Sequence, residues 1–350
     1  MKVHRDIEQL PTFNNAVVTI GTFDGVHLGH QKIISQLRSE AARVGGETVI
    51  ITFHPHPRQV VPGKQDAVRL ITTIDEKIEL LSEKGIDHLV IVPFTRHFSE
   101  MEPREYVEQF LKNKCRPKVV IIGYDHKFGR QRKGDYKLLE EYSARGFFEL
   151  KEIPQQLIDD STVSSTAIRE SLAAGNVDNA NRLLGYDFHF DGVVVRGNQL
   201  GRTLGYPTAN LEIGDPDKIV PGDGIYAVQV VVRQGAKGKG QRLKGGMMSI
   251  GIRPTVDGKT KTTEVNIFDF SDDIYGATLR VYVKHFLREE KKFSSLEELK
   301  VAIDEDKVNA LRVLGVGSRE SYLWVMADRV FIIADNFLND SRSASVIFSR

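Results

Sequence analysis

The chain has 350 residues, which at roughly 100–200 residues per domain points to two domains or one large one. Its 48 Lys and Arg against 47 Asp and Glu leave a formal net charge of +1, a balance that argues against a broad electrostatic nucleic-acid binder but not against a local phosphate pocket. A single cysteine, Cys115, excludes an internal disulfide and a cysteine-rich zinc module; no run of about 18 apolar residues marks a membrane helix. The opening residues, Met1 to Glu8, lack the apolar core of a signal peptide, so a soluble cytoplasmic protein is the expectation.

In chain order, Ala16 to Gly21 reads as a buried strand. Leu28 to Val44 reads as a helix, with Leu28, Ile33, Ile34, Leu37 and Ala41 near a 3.6-residue period. Thr48 to Phe53 is a second strand, Asp75 to Lys84 a helix, His88 to Phe94 a third strand, Arg104 to Lys114 a helix and Val119 to Gly123 a fourth strand. Continuous apolar strands alternating with helices predict βαβ units and a parallel sheet covered on both faces. Ligands bind such sheets at the carboxyl ends of the strands. From about residue 186 the pattern changes to short strands separated by Gly, Pro and Asp turns: Phe188 to Val195, Ile225 to Val232, Leu243 to Ile250, Thr263 to Phe270 and Thr278 to Leu287. That is an all-β signature, best read as a small barrel. A helix from Ser294 to about Leu314 closes it, with Leu296, Leu299, Ile303 and Val308 as its apolar positions. Gly235 to Gly246 reads as a basic hairpin turn. The remainder, from Gly315, reads as an added helix or a partly disordered tail.

The first chemical constellation is Gly21-Thr22-Phe23-Asp24-Gly25-Val26-His27-Leu28-Gly29-His30. A buried strand ends and a helix begins here, so glycines allow close backbone approach and the helix start offers unpaired N–H groups to an anion. His27 and His30 share one face of the first helical turn. Two imidazoles there suit a polyphosphate whose charge grows during reaction. Each histidine taken alone is more simply a cap or a surface residue. Zinc held by His27, His30, His54 and His56 is the metal alternative, with no Cys or HExxH support. The second segment is Val163-Ser164-Ser165-Thr166-Ala167-Ile168-Arg169, a hydroxyl-rich helix start followed by a bidentate donor. Ordinary N-capping is its simpler reading. Further on, Gly201-Arg202-Thr203-Leu204-Gly205-Tyr206-Pro207-Thr208-Ala209-Asn210 places a hydroxyl and an amide oxygen on one side of an extended segment, a hard-oxygen pair suited to Mg²⁺ with phosphate. Glu264 sits in an alternating strand, where a carboxylate can accept a proton from an attacking hydroxyl.

These residues carry a resemblance. The HxGH element His27 to His30 and the Ser164–Arg169 segment resemble the two signatures of the nucleotidyltransferase superfamily. Gly123 to Arg130 resembles the flavin-side loop of its FMN adenylyltransferase branch, and Pro207-Thr208-Ala209-Asn210 resembles the riboflavin kinase signature. Over about residues 1–314 the chain resembles the bacterial bifunctional riboflavin kinase/FMN adenylyltransferase family. The resemblance implies a doubly wound parallel-sheet α/β domain over 1–185, an antiparallel β-barrel with a C-terminal helix over 186–314, and an extension over 315–350 to which it assigns nothing. It implies that riboflavin, FMN and ATP are substrates, that Mg²⁺ comes with ATP, and that FMN and FAD are reactant and product rather than prosthetic groups. It implies Glu264 as kinase base, Thr208 and Asn210 toward the metal, and Gly201 and Gly205 toward phosphate. It implies His27, His30 and Arg169 as charge stabilisers of adenylyl transfer. Gly21, Phe23, Asp24, Gly29, Ser164, Ser165 and Thr166 would line its nucleotide, and Asp125, Phe128 and Arg288 would face flavin. Relatives often carry His where this chain has Asn266, which removes that position as an acid or base. No nucleic acid, no membrane and at most a weak oligomer are expected. Two other readings stay open: an adenylyltransferase for another phosphorylated substrate, and a barrel that senses flavin or binds nucleic acid on a degenerate enzyme.

Overall fold

The structure is a computed structural model that describes residues 1–61, 68–123, 126–153, 163–197, 200–233, 243–255 and 258–315. The chain forms two compact units. The first comprises Met1–Phe188 and Asp215–Pro221; the second comprises His189–Gly214 and the chain from Gly222 onward. The sequence pattern suggests one cut near residue 185, whereas Asp215–Pro221 returns to the first unit. There it forms a parallel bridge between Lys218 and Leu70.

The first unit is built on a six-stranded sheet of order β1-β4-β3-β2-β5-β6, every pairing parallel. Its strands are β1 (Lys2–His4), β2 (Val17–Ile20), β3 (Thr48–His54), β4 (His88–Pro93), β5 (Val119–Gly123) and β6 (Glu149–Ile153). Successive strand residues point to opposite faces. Val18, Ile20, Val49, Ile51, Val90 and Val120 accordingly join one core, and Val17, Ile50, Leu89, Ile91, Val119 and Ile121 the other. Both faces are covered, which is why the inner strands β2, β3, β4 and β5 are largely apolar rather than alternating, while the edge strands β1 and β6 carry charged residues. Each buried Val, Leu or Ile contributes about 1.5–3 kcal/mol. The flanking helices are α1 (Leu28–Val44), α2 (Ile74–Glu83), α3 (Tyr106–Cys115, wound as a π-helix), α4 (Tyr136–Ala144), α5 (Ser165–Ala173) and α6 (Val177–Leu184). Helix α1 runs over the span read from periodicity, but its buried seam is Ile34, Leu37 and Ala41, with Leu28 left 37% exposed. Strand order reverses between β2 and β5, so the carboxyl end of β2 is a topological switch point, the usual ligand crevice of an open α/β sheet.

The second unit is a closed barrel, β10-β11-β8-β7-β12-β9, antiparallel in every pairing. Its strands are β7 (His189–Val195), β8 (Ala209–Glu212), β9 (Gly224–Arg233), β10 (Lys244–Thr255), β11 (Gly258–Ile267) and β12 (Thr278–Arg288). Tyr226, Val228 and Met248 are buried on one side of the wall. Alternate residues Ala227 and Met247 pack with Phe268 against Ala310 of the closing helix α7 (Leu296–Leu314). The seam of α7 bears out only part of the prediction: of Leu296, Leu299, Ile303 and Val308, Ile303 packs, partly buried, on that core. Its buried residues are Ala302, Asp306 and Ala310, while Leu296 is 57% exposed. The predicted hairpin turn at 235–246 lies largely outside the described residues, and so does the extension beyond Gly315. Among the described residues no helix is long and apolar enough to cross a membrane.

Candidate active sites

In the first unit the loop after β2 makes a tight reversal. Phe23, Gly25 and Val26 all take left-handed backbone, with φ of 48°, 87° and 38°. Only glycine adopts this without cost, so Phe23 and Val26 are held there by their surroundings. Part of that hold is Asp24, which is 1% exposed. Its carboxylate accepts from the Ile71 N–H at 3.2 Å, the Thr72 N–H at 3.0 Å and the Thr72 hydroxyl at 3.2 Å, and pairs with Arg169. Asp24, expected beside nucleotide, therefore has its oxygens committed to internal donors. It shapes the loop and holds Arg169.

His27 is the N-cap of α1. Its Nδ1 accepts from the backbone N–H of His30 at 3.4 Å, so in the neutral ring the proton sits on Nε2. The His27 and His30 rings stack with centroids 3.7 Å apart, and Phe23 packs on His30 at 4.8 Å. Burial lowers the pKa of His27 to about 4, Asp24 opposing and Arg169 adding to the shift. Burial, His27 and Lys77 hold His30 well below its ordinary value. Both rings are neutral near pH 7. The Nδ1 of His30 is buried and has no hydrogen-bond partner among the described residues. A buried polar atom without a partner is costly, which fits a site completed by a ligand.

The two motifs, distant in sequence, meet here. A side chain at Gly29 would lie 3.8 Å from the Val163 carbonyl at the start of α5 and 3.2 Å from the His27 ring. The Ser165 hydroxyl donates to the Asp24 carbonyl at 2.9 Å. Ser164 caps α5 by accepting from Ala167 N–H at 3.1 Å, and Thr166 is exposed on its first turn. Gly21 closes the strand, its N–H donating to the Ile51 carbonyl at 3.0 Å. Arg169 also donates from Nε to the Arg69 carbonyl at 2.7 Å. Two helix N-termini, two neutral imidazoles and a guanidinium thus share one crevice, an anion-binding arrangement.

Two residues that the motifs did not single out for phosphate belong to the same electrostatic neighbourhood. His56 caps the turn after β3, its Nδ1 accepting from Arg58 N–H at 3.2 Å. Burial lowers its pKa to about 4; Asp24 raises it, while Arg169, Lys77 and Arg58 lower it further. Lys77, on α2, is 6% exposed. The sequence signal for both was weak: one histidine among prolines and one lysine in a charged helix. No cluster of three or more His, Cys, Asp or Glu side chains placed for a metal occurs among the described residues, so the four-histidine zinc alternative gains nothing.

The flavin-side expectations fare differently. Asp125 lies outside the described residues. Phe128 is 7% exposed and packs in the core against Tyr106 at 5.1 Å. It is a wall of the unit rather than an open stacking surface. Arg288 clamps Asp306 with Nε at 2.8 Å and Nη2 at 2.7 Å, and spends Nη1 on the Glu289 carbonyl at 3.0 Å. Those bonds commit it to joining β12 to α7.

In the second unit Glu264 of β11 lies directly opposite Asn210 of β8. The Thr208 hydroxyl donates to Glu264 Oε2 at 3.1 Å. With its proton turned to the carboxylate, that hydroxyl keeps its lone pairs for a cation. Gly197 makes room for the Asn210 amide; a Cβ there would collide with it. Gly201 is required for a similar reason. The chain after it turns so tightly that Tyr206 N–H donates to the Gly201 carbonyl at 2.8 Å, and a Cβ would strike the Tyr206 carbonyl. Gly205 completes the turn in left-handed backbone, φ 81°. Asn266 donates from Nδ2 to the Pro207 carbonyl at 2.7 Å. It anchors the Thr208 loop, consistent with its exclusion as an acid or base. The hard-oxygen pair and the adjoining carboxylate fit Mg²⁺ bound with a nucleotide.

Comparison with known proteins agrees with both halves. A family model for FAD synthetase matches residues 10–167, and one for riboflavin kinase matches residues 184–314. A bifunctional riboflavin kinase/FMN adenylyltransferase of Haemophilus influenzae is 38% identical over 83% of this chain and 91% of its own. The Escherichia coli protein of the same name is 34% identical over 90% of this chain and 99% of its own. A solved structure from Streptococcus pneumoniae, described as a macrolide-efflux protein, is 30% identical, covers 87% of this chain and 97% of that one, and has a TM-score of 0.77. Two family matches in this order, and relatives alike over nearly their whole length, place the chain in the family of bifunctional riboflavin kinase/FMN adenylyltransferases.

Proposed function

We propose that the barrel phosphorylates riboflavin to FMN and that the α/β unit adenylylates FMN to FAD, with the residue roles that follow. The observation that carries the reading is that each unit holds a phosphate-handling cluster of its own. One is Thr208, Asn210 and Glu264; the other is the junction of the α1 and α5 helix starts.

In the kinase step a ribityl hydroxyl of riboflavin attacks the γ-phosphorus of ATP, and the bond to the β-phosphate oxygen breaks. Glu264 takes the hydroxyl proton. Thr208 orients that carboxylate through its hydrogen bond, and Asn210 stands opposite it. Mg²⁺, held through Thr208 and Asn210, would supply neutralisation of phosphate charge when bound. In the adenylyl step an oxygen of the FMN phosphate attacks the α-phosphorus of a second ATP, and pyrophosphate leaves. The nucleophile is already an anion, so no strong base is needed. Neutral His27 donates from Nε2, and His30, Arg169 and the helix N-termini, the Ser165 backbone N–H among them, meet the charge that builds on the transferring group. The same reading places the enzyme in the cytoplasm as a monomer or weak oligomer.

The test is one incubation of the full chain with riboflavin, ATP and Mg²⁺, with flavins separated by chromatography over time. FMN first and FAD second is the expected result. FAD from added FMN, with no product from riboflavin, would reduce the barrel to an accessory.

A further inference from the structure

Lys77 stands out as a buried cation with no assigned partner. It lies one turn into α2, where its backbone N–H donates to the carbonyl of the N-cap Thr73 at 3.0 Å. The carboxylate beside it in the chain, Glu76, and the one whose field reaches it, Asp24, are both engaged elsewhere. Glu76 binds Lys218 at 2.6 Å and accepts from Thr73 N–H at 2.9 Å. Asp24 is committed to Ile71, Thr72 and Arg169. Among the described residues the Lys77 ammonium makes neither an ion pair nor a hydrogen bond. Burial brings its pKa down to about 8, against the pull of Asp24. Its charge is felt by His30 and by His56, whose shifts it deepens. Asp24, His30 and His56 are therefore the titratable groups that share its field, with Arg169 beyond Asp24.

A buried ammonium without a counter-ion lowers stability, and an anionic ligand removes that cost. The crevice that His30 and Asp24 line is the one built for phosphate. We propose that Lys77 binds a phosphoryl oxygen in the adenylyl site, supplying the counter-charge for the reacting phosphates. This rests on the adenylyltransferase reading above. Lys77 changes no bond in the reaction: the FMN oxygen bonds to the α-phosphorus, the α–β bridging oxygen leaves with pyrophosphate, and the ammonium keeps its proton throughout. It must arrive protonated, so binding is coupled to proton uptake once the free enzyme's ammonium begins to titrate.

The experiment measures FMN-to-FAD turnover by the full chain from pH 6.5 to 9.5, together with ATP affinity by titration calorimetry. Wild-type kcat/KM and ATP affinity should fall toward tenfold per pH unit above about pH 8. Lys77→Met should lose about a hundredfold in kcat/KM and show no such limb. Lys77→Arg, charged at every pH tested, should recover most of the rate and move the limb to higher pH. A rise confined to the KM for ATP assigns the contact to the triphosphate; one confined to FMN assigns it to the flavin phosphate. Riboflavin kinase activity of each variant should stay at the wild-type level, which shows the chain is folded. Wild-type turnover by Lys77→Met, or an unchanged alkaline limb in Lys77→Arg, would overturn the proposal. Failure of the wild-type chain to make FAD from FMN would instead overturn the underlying reading, and this one with it.

Discussion

Glu264 owes its position to register. Because β11 pairs with β8 so that Glu264 faces Asn210, the Thr208 hydroxyl one step before β8 comes within 3.1 Å of the carboxylate. A slip of one residue would turn Glu264 to the other face of the wall. Glu264→Gln keeps the hydrogen-bonding shape and removes the proton acceptor. FMN formation should fall by a hundredfold or more, while FAD formation from supplied FMN stays unchanged. His30→Ala should do the reverse. The flavin chromatography assay reads both, and loss of both activities in a folded Glu264 variant would count against separate sites. At this scale much of the site is legible in local sequence, because helix starts, glycine turns and hydroxyl runs are short-range features. Lys77 and His56 are not. Each looks like a surface residue until the sheet edge brings Asp24, His30 and the β3 turn into one electrostatic field.

Helix α7 shows what happens one scale up. Its span is readable from the apolar spacing, whereas most of its buried seam is not. The helix turns Asp306 inward because Arg288, at the end of a β12 stretch with two register shifts, offers it two parallel N–H donors. Burial pushes the Asp306 pKa up, and Arg288 pulls it back. Asp306→Ala leaves the guanidinium without its partner and should destabilise the barrel by about 1–3 kcal/mol, since Arg288 is partly exposed. Urea unfolding of the full chain should show the midpoint shift. Arg288→Met combined with Asp306→Leu should recover most of it.

At the scale of the molecule, a chain of net charge +1 carries many exposed ion pairs and also a few buried ones in its first unit. Three histidines set a pH dependence for the first unit. His27 and His56 titrate near 4 in the fold and near 6.5 in the unfolded chain, and His30 is shifted the same way. Well above pH 6.5 both states are neutral and the histidines contribute nothing to the slope. Below it the unfolded chain takes up protons first, so stability falls until the folded rings protonate near pH 4. For His27 alone the loss between pH 7 and 5 is about 2 kcal/mol. Hydrogen exchange of the α1 amides, corrected for intrinsic pH effects, should show at least that fall, and His27→Gln should show a slope smaller by that amount. The two fold classes, the order of the units and the glycine- and hydroxyl-rich motifs are legible in the sequence, because strand and helix periodicity and turn chemistry are local properties. Tertiary structure alone decided that Asp215–Pro221 joins the first unit, with Lys218 buried against Glu76. It also decided that Asp24 and Arg288 serve as internal clamps, and that Lys77 is buried. The reason is physical: the cost of a buried charge and the value of a partner depend on neighbours that only the folded chain supplies.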